Sequence, residues 1–408
     1  MKYKPKTTFG KNVLTVITGT ALAQIFPVLI SPILTRIYAP EDFGFLAIYI
    51  VSLSLLTVLA TGKYENALYL PKNHKTVYRI LDLSLNLTII FSIFLMGLIL
   101  LFGNLSWVFF DIEHSILWLY ILPFAVFISS QYVVLTQLAI KTKNYKQLSV
   151  SRIYQSFTFV VIAIAIGYLS LSFGLVVATL LGQFAAYKTI KKIKGDNYKF
   201  KNLFRLATAK QYIKFPIFMI PSGLLNTASA NMPIIILTSN FGLIYVGFYE
   251  LVQRTLSIPS TFIGNSFGEV FRQQASDDLK KTGTCRPLIQ NTISKLFIVS
   301  FLPFFGLWVS APILFEIVYG ADWRIAGEMA QILVPMFYIR FLSMPVASII
   351  LLRDRTEIDF WWQLTFLFLS LGGLVFIDSI YSIMLYFSIS FSLIYLLSFF
   401  INYKLAKL

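Results

Sequence analysis

Apolar residues run along this chain in long blocks, with none of the strict alternation that marks a half-buried strand, and polar positions gather in short segments between them. Twelve blocks fall within the length that crosses a hydrocarbon core as a helix, about 17–25 residues. They lie near Val13–Leu34, Gly44–Thr61, Ile80–Phe102, Ile116–Leu138, Ser151–Tyr168, Phe173–Ile190, Pro216–Ser239, Tyr245–Gly264, Thr292–Ile317, Glu328–Leu351, Phe360–Ile377 and Ser382–Tyr403. The pattern predicts an all-α polytopic membrane protein of about 12 transmembrane helices. A soluble globular chain is excluded, because hydrophobic residues make up 57% of the sequence and charged residues only 13%.

Charge then orients the pattern. Of 34 Lys and Arg, 30 fall in the N-terminal tail, in Lys63–Arg79, Lys141–Arg152, Lys188–Lys214, Arg272–Lys295, Arg353–Arg355 and the C-terminal tail, all on one side of the predicted membrane. The opposite connections carry only Arg36 and Arg324. By the positive-inside rule, both termini are expected in the cytoplasm and the protein in the cell membrane. The net charge of +16 then calls for no nucleic-acid partner, since a topology signal beside anionic lipid accounts for it. Ala21-Leu22-Ala23 follows a Lys-rich start like a cleavage site, but the apolar run continues past it, so a retained first span is expected. Cys285 stands alone, which leaves no disulfide and no cysteine metal site.

A basic loop, 191–215, divides the chain almost at its middle and separates a lobe 1–190 from a lobe 216–408, six spans each. Two matches across that midpoint suggest duplication. Leu34, Thr35, Tyr38, Gly44 and Phe45 recur 203 residues later as Leu237, Thr238, Phe241, Gly247 and Phe248; Pro123, Lys141 and Lys143 recur 212 residues later as Pro335, Arg353 and Arg355. An even number of spans per half gives both halves the same orientation, so the two lobes are expected to be pseudo-symmetric about the membrane normal.

Candidate chemistry lies within the spans, because no connection is long enough for a folded outer domain. In span 1, Thr20, Gln24, Ser31 and Thr35 share a helix face; in span 7, Ser222, Asn226 and Ser229 do the same, and both spans carry prolines that favour bends. Helix packing through small polar residues and a hydrated, cavity-lining face both fit these stripes. Ionisable groups at bilayer depth are costly, about 2.5–3.5 kcal/mol for Arg at the centre on insertion scales. Arg254 falls about 15 Å into span 8 and Arg340 about 18 Å into span 10. Glu250 lies one turn from Arg254, so an ion pair that merely permits insertion competes with anion binding there. Arg340 has no partner within a turn and points to an anion. Near the cytoplasmic span ends, Glu65 and Asp82 are candidate coupling-ion or proton sites, against ordinary interfacial solvation. The glycine cluster Gly264-Asn265-Ser266-Phe267-Gly268-Glu269 lacks the lysine of a phosphate loop, and His74 and His114 are isolated, so neither ATP hydrolysis, an enzymatic activity, a metal nor a cofactor is expected.

The segment Leu34-Thr35-Arg36-Ile37-Tyr38-Ala39-Pro40-Glu41-Asp42-Phe43-Gly44, followed by Ala60-Thr61-Gly62-Lys63-Tyr64-Glu65-Asn66-Ala67-Leu68 and Leu70-Pro71-Lys72, resembles the opening of the polysaccharide biosynthesis and O-antigen flippase family, part of the multidrug/oligosaccharidyl-lipid/polysaccharide exporter superfamily. The resemblance implies two six-helix lobes around a central cavity that opens alternately to either side. It implies a substrate too, an undecaprenyl-pyrophosphate-linked oligosaccharide moved to the outer leaflet for O-antigen, capsule or exopolysaccharide assembly, with membrane lipid and other polysaccharide assembly proteins as partners. Arg36 matches the family's opening motif; with Arg254 and Arg340 it makes the anion-facing set, while Gln24, Ser31, Thr35, Asn226, Ser229 and Glu250 make the polar lining. A drug/cation antiporter of the same superfamily is the alternative, disfavoured by the scarcity of deep carboxylates in the first lobe. A non-transporting scaffold is the third reading, disfavoured by the cost of bends and midplane arginines.

Overall fold

The computed structural model describes residues 26–71, 73–102, 116–169, 173–194, 206–260, 265–353, 355–376 and 378–407. Regular structure in them is entirely helical, as the bilayer demands of any open chain, whose backbone must bond to itself where no water reaches. In chain order the helices are α1 (Phe26–Ile37), α2 (Pro40–Thr61), α3 (His74–Phe102), α4 (Ile116–Lys141), α5 (Tyr145–Gly167), α6 (Gly174–Ile190), α7 (Leu206–Gln211), α8 (Lys214–Phe241), α9 (Leu243–Pro259), α10 (Asn265–Thr282), α11 (Arg286–Tyr319), α12 (Arg324–Ser343), α13 (Ile349–Leu352), α14 (Thr356–Leu371) and α15 (Ile380–Leu405). Among the described residues, eight helices are long and apolar enough to cross a membrane. Each of the twelve expected spans coincides with a helix, although the first is described only from Phe26. The chain is a multi-pass membrane protein.

Local chemistry sets the helix ends. Pro40 opens α2, where its missing N–H costs nothing, and Glu41 and Asp42 occupy the electropositive first turn. The Asp42 carboxylate also accepts the Ala39 N–H at 3.0 Å. At α15, the Ser379 hydroxyl accepts the Ser382 N–H at 3.1 Å as an N-cap.

Two elements differ from expectation. Span 10, read as one helix, is α12, a 3-10 turn over Met344–Ser348, and α13; Pro345 lies in that turn and can donate no bond to it. The basic segment after span 8, read as a loop, contains α10, whose Phe271 and Ala275, one turn apart, are buried with Cys285, Ile289, Val346, Ile349, Ile350, Leu405 and Ala406.

The chain forms two compact units: Tyr49–Thr227 with Phe26 and Pro27, and Val28–Ile48 with Ala228–Leu408. This division differs from the one drawn through residues 191–215, because 28–48 packs with the C-terminal half and 191–227 belongs with the N-terminal unit. In the first unit, α3, α4 and the 3-10 helix Tyr64–Tyr69 pack around Leu68, Val77, Leu81, Val134, Leu135 and Leu138. The Lys141 ammonium closes this cluster by donating to the carbonyls of Tyr69 (2.9 Å) and Pro71 (3.1 Å).

The second unit repeats that arrangement. Val77, Val134 and Leu138 have counterparts 212 residues later in Ile289, Val346 and Ile350 of the second cluster, and Arg353, the counterpart of Lys141, donates to Gly283, the counterpart of Pro71, at 3.0 Å. Arg353 and Arg286 also donate to the Leu405 and Tyr403 carbonyls, a cationic close to the C-terminal end of α15.

The other repeat meets itself inside this unit. The first turns of α2 and α9 cross so closely that a Cβ on Gly44 would collide with the Leu243 carbonyl, and one on Gly247 with the Pro40 carbonyl. Gly44 and Gly247 are 203 residues apart, as are Pro40 and Leu243, so the contact is self-complementary in the manner of a two-fold interface. Trp323 is buried beside the crossing, edge-on to Phe43 (5.0 Å) and Phe248 (5.7 Å), and its Nε1 donates to the Thr35 carbonyl at 3.1 Å.

Candidate functional site

Helix α9 carries Tyr249, Glu250, Gln253 and Arg254 within six consecutive positions, so two polar pairs, each spanning one turn, project from it into the second unit. Glu250 and Arg254 form an ion pair at 3.4 Å, with side chains 18% and 17% exposed. The Arg254 guanidinium lies 6.0 Å from the Phe43 ring, and its Nη1 is buried with no hydrogen-bond partner. Arg254 is thus a paired cation, the outcome the one-turn spacing allowed. Tyr249 is buried and its hydroxyl accepts from Gln253 Nε2; Thr255 bonds the Tyr319 hydroxyl at 2.9 Å.

Arg340 occupies a different setting. It lies about 24 Å along the rise from the start of α12, half-buried, 5.8 Å from the Phe337 ring. Its charge acts on the hydroxyls of Tyr249 and Tyr395, which α9 and α15 bring to it. Among the described residues no carboxylate pairs with it. An unpaired guanidinium flanked by phenols is a donor array suited to an oxyanion, because its planar fork matches phosphate oxygens.

The remaining expected residues scatter. Arg36 is exposed at the end of α1 and donates to the Pro32 carbonyl at 3.2 Å. Ser31, Thr35 and Ser229 are buried; Thr35 bonds Pro32, and the Ser229 carbonyl accepts from Ser370 at 3.4 Å, which favours helix packing over a lining face at these three. Asn226 is exposed on α8 and keeps the hydrated reading. Gln24 lies outside the described residues.

The two candidate coupling carboxylates separate by environment. Asp82 is 4% exposed on α3 and acts electrostatically on Lys194 of the 3-10 helix Lys191–Lys194. Burial, with Lys191 beside it, holds Lys194 down to about 8, and Asp82 works the other way. Glu65 is 2% exposed; burial pushes its carboxyl above the ordinary value, against smaller opposing contributions from its own backbone N–H, Lys63 and the Thr61 hydroxyl. Among the described residues no group of three His, Cys, Asp or Glu side chains is arranged to hold a metal.

Sequence reading missed Tyr249, Gln253, Tyr319 and Tyr395. The four-residue step from Tyr249 to Gln253 was visible, parallel to that from Glu250 to Arg254. Tyr395 had no local signal, because only the packing of α12 against α15 and α9 brings it to Arg340.

The profile of a family described as polysaccharide biosynthesis protein matches residues 33–327. The teichuronic acid biosynthesis protein TuaB of Bacillus subtilis (strain 168) is 25% identical over 161 residues, 40% of this chain and 33% of that one. The lipopolysaccharide biosynthesis protein WzxC of Escherichia coli (strain K12) is 21% identical over 168 residues, 41% of this chain and 34% of that one. The match thus spans about a third of the length of these relatives. Among solved structures, the lipid II flippase MurJ in an inward closed conformation superposes with a TM-score of 0.72 at 15% identity, over 96% of this chain and 87% of that one. An inward-facing multidrug resistance MATE family transporter gives 0.66 at 12% identity, over 95% and 93%. The fold is therefore the one that these two solved transporters share.

Proposed function

This chain belongs to the family of polysaccharide biosynthesis proteins, and on that footing we propose that it is a flippase that moves an oligosaccharide linked through pyrophosphate to undecaprenol from the cytoplasmic to the outer leaflet of the cell membrane. The observation that carries the reading is Arg340, a cation within a span with phenols beside it and no acidic partner among the described residues. A cation left unpaired at bilayer depth is expensive, and a pyrophosphate that enters and leaves offsets that cost without locking the site. The Arg254–Glu250 pair is already neutral and serves the fold. The lipid tail needs no protein groups and stays in the bilayer. Alternating access, with both termini in the cytoplasm, is the mode this reading adopts.

The test is deletion of the gene with identification of the lipid-linked glycan that accumulates on the cytoplasmic face, then complementation. Accumulation relieved by the wild-type chain and not by Arg340→Gln supports the reading. Normal export in the deletion strain refutes it.

A further inference from the structure

After α2 the chain reverses through Gly62 and Lys63, both at positive φ (58° and 56°), a backbone that glycine adopts freely and lysine only under constraint. This reversal launches the 3-10 helix Tyr64–Tyr69 and turns Glu65 into the first unit, where it is 2% exposed. Tyr64 pins the segment through a 3.1 Å bond to the Ala209 carbonyl, and Lys141 pins its far end. The Glu65 carboxyl meets its own backbone N–H and the Thr61 hydroxyl, yet its Oε2 is buried with no hydrogen-bond partner. A buried neutral acid with one orphaned oxygen costs what a buried polar group costs, whereas the ionised form in the same place costs far more.

The surrounding charges are otherwise engaged. Lys63 is the charge that acts on Glu65, and its side chain is packed at Gly223 of α8, where a Cβ would stand 2.9 Å from Lys63 Cε. On the helices packed against this segment, Asp82 of α3 interacts with Lys194, and Lys141 of α4 is bound to carbonyls. Burial without a strong partner separates Glu65 from Asp82, although the two have the same standing in the sequence.

We propose that Glu65 is a proton-binding site: it carries a proton in this conformation and releases it when the Thr61–Tyr69 turn rearranges to bring Lys63 or water to Oε2. The step is a proton transfer alone, from the carboxyl to water, with no bond to carbon changed. Coupling of that proton to transport rests on the flippase reading; the protonation itself does not.

The experiment is a pH titration by infrared difference spectroscopy of the full chain in vesicles of phosphatidylethanolamine and phosphatidylglycerol. A protonated-carboxyl band should persist well above the ordinary carboxylate value of 4.5, remain in Asp82→Asn and disappear in Glu65→Gln. Glu65→Asp, which keeps the acid, should move the band, and this variant decides the matter if Glu65→Gln does not insert. A band unchanged in the Glu65 variants, or carboxyls that all titrate at the ordinary value, would overturn the proposal. Presence of the Glu65 band in a chain that exports no lipid-linked glycan would refute the flippase reading while leaving the proton site established.

Discussion

Arg254 has Glu250 one turn away in the sequence and Arg340 has no such neighbour, and their surroundings in the fold divide them along the same line. Replacing Arg254 by Gln leaves Glu250 as a mostly buried, unpaired carboxylate; breaking such a pair costs about 3–5 kcal/mol when fully buried, and the residual exposure here places it at the lower end. We expect Arg254→Gln to lower the thermal unfolding midpoint and the amount of protein in the membrane, and the double variant with Glu250→Gln to recover both, since no charge is then left alone. Failure of the double variant to recover would put Arg254 back among the substrate groups. Arg340→Gln should instead insert and unfold normally yet fail to export, with Lys restoring only part of the activity because it offers a point charge in place of a fork. Glu65 supplies a pH dependence. Its folded pKa lies above the ordinary 4.5, so the stability its proton confers is complete below 4.5 and is lost as pH rises through the raised folded value. The midpoint of Glu65→Gln should therefore hold up better than wild type on going from acid to alkaline pH; parallel pH profiles would refute the assignment. Which residues are ionisable was plain from sequence, but whether each one finds a partner depends on neighbouring helices such as α15, which no local pattern names.

The repeats were legible as helix-scale features because both kept their register, and the structure gives each a contact. The 203-residue offset relates the two glycines of the α2–α9 crossing, and the 212-residue offset relates the two basic clamps. We expect Gly44→Ala and Gly247→Ala each to destabilise the second unit by about 1–3 kcal/mol, the usual range for forced overpacking, because the obstructing atoms are backbone carbonyls that cannot rotate away. Gly97 of α3 is the control, with nothing within 4 Å of an added Cβ; alanine there should stabilise by about 0.5–1 kcal/mol through helix propensity. Equal unfolding midpoints for the three variants would deny the crossing its role. Helix α10 was missed for a physical reason. Its polar composition gives no membrane signal, and among its described side chains Phe271 and Ala275 are in the buried cluster with Leu279 packed against it, too few to stand out against the Asp, Glu, Lys and Arg residues spread along Asn265–Thr282.

At the scale of the whole chain, the apolar blocks alone sufficed for the order of the helices and the multi-pass architecture, since a bilayer leaves helices as the only open-chain solution. The partition into compact units was not legible, because it turns on contacts between residues some two hundred positions apart at the Gly44–Gly247 crossing, and these carry 28–48 away from the spans adjacent in sequence. Orientation is the remaining global property, and it rests on the bias of basic residues toward one set of connections. The native cysteine is a poor reporter of it: Cys285 is fully buried, and burial pushes its thiol up, so reagents from either side should react slowly. A sound test starts from Cys285→Ser and adds single cysteines at two exposed positions on opposite sides, Lys192 and Asp322. Asp322→Cys should react with a membrane-impermeant maleimide in intact cells, and Lys192→Cys only after permeabilisation. The reverse pattern would invert the protein in the membrane. Arg340 would then face substrate from the wrong leaflet, the Glu65 turn would lie outside the cell, and the flippase reading would lose the cytoplasmic entry on which it depends.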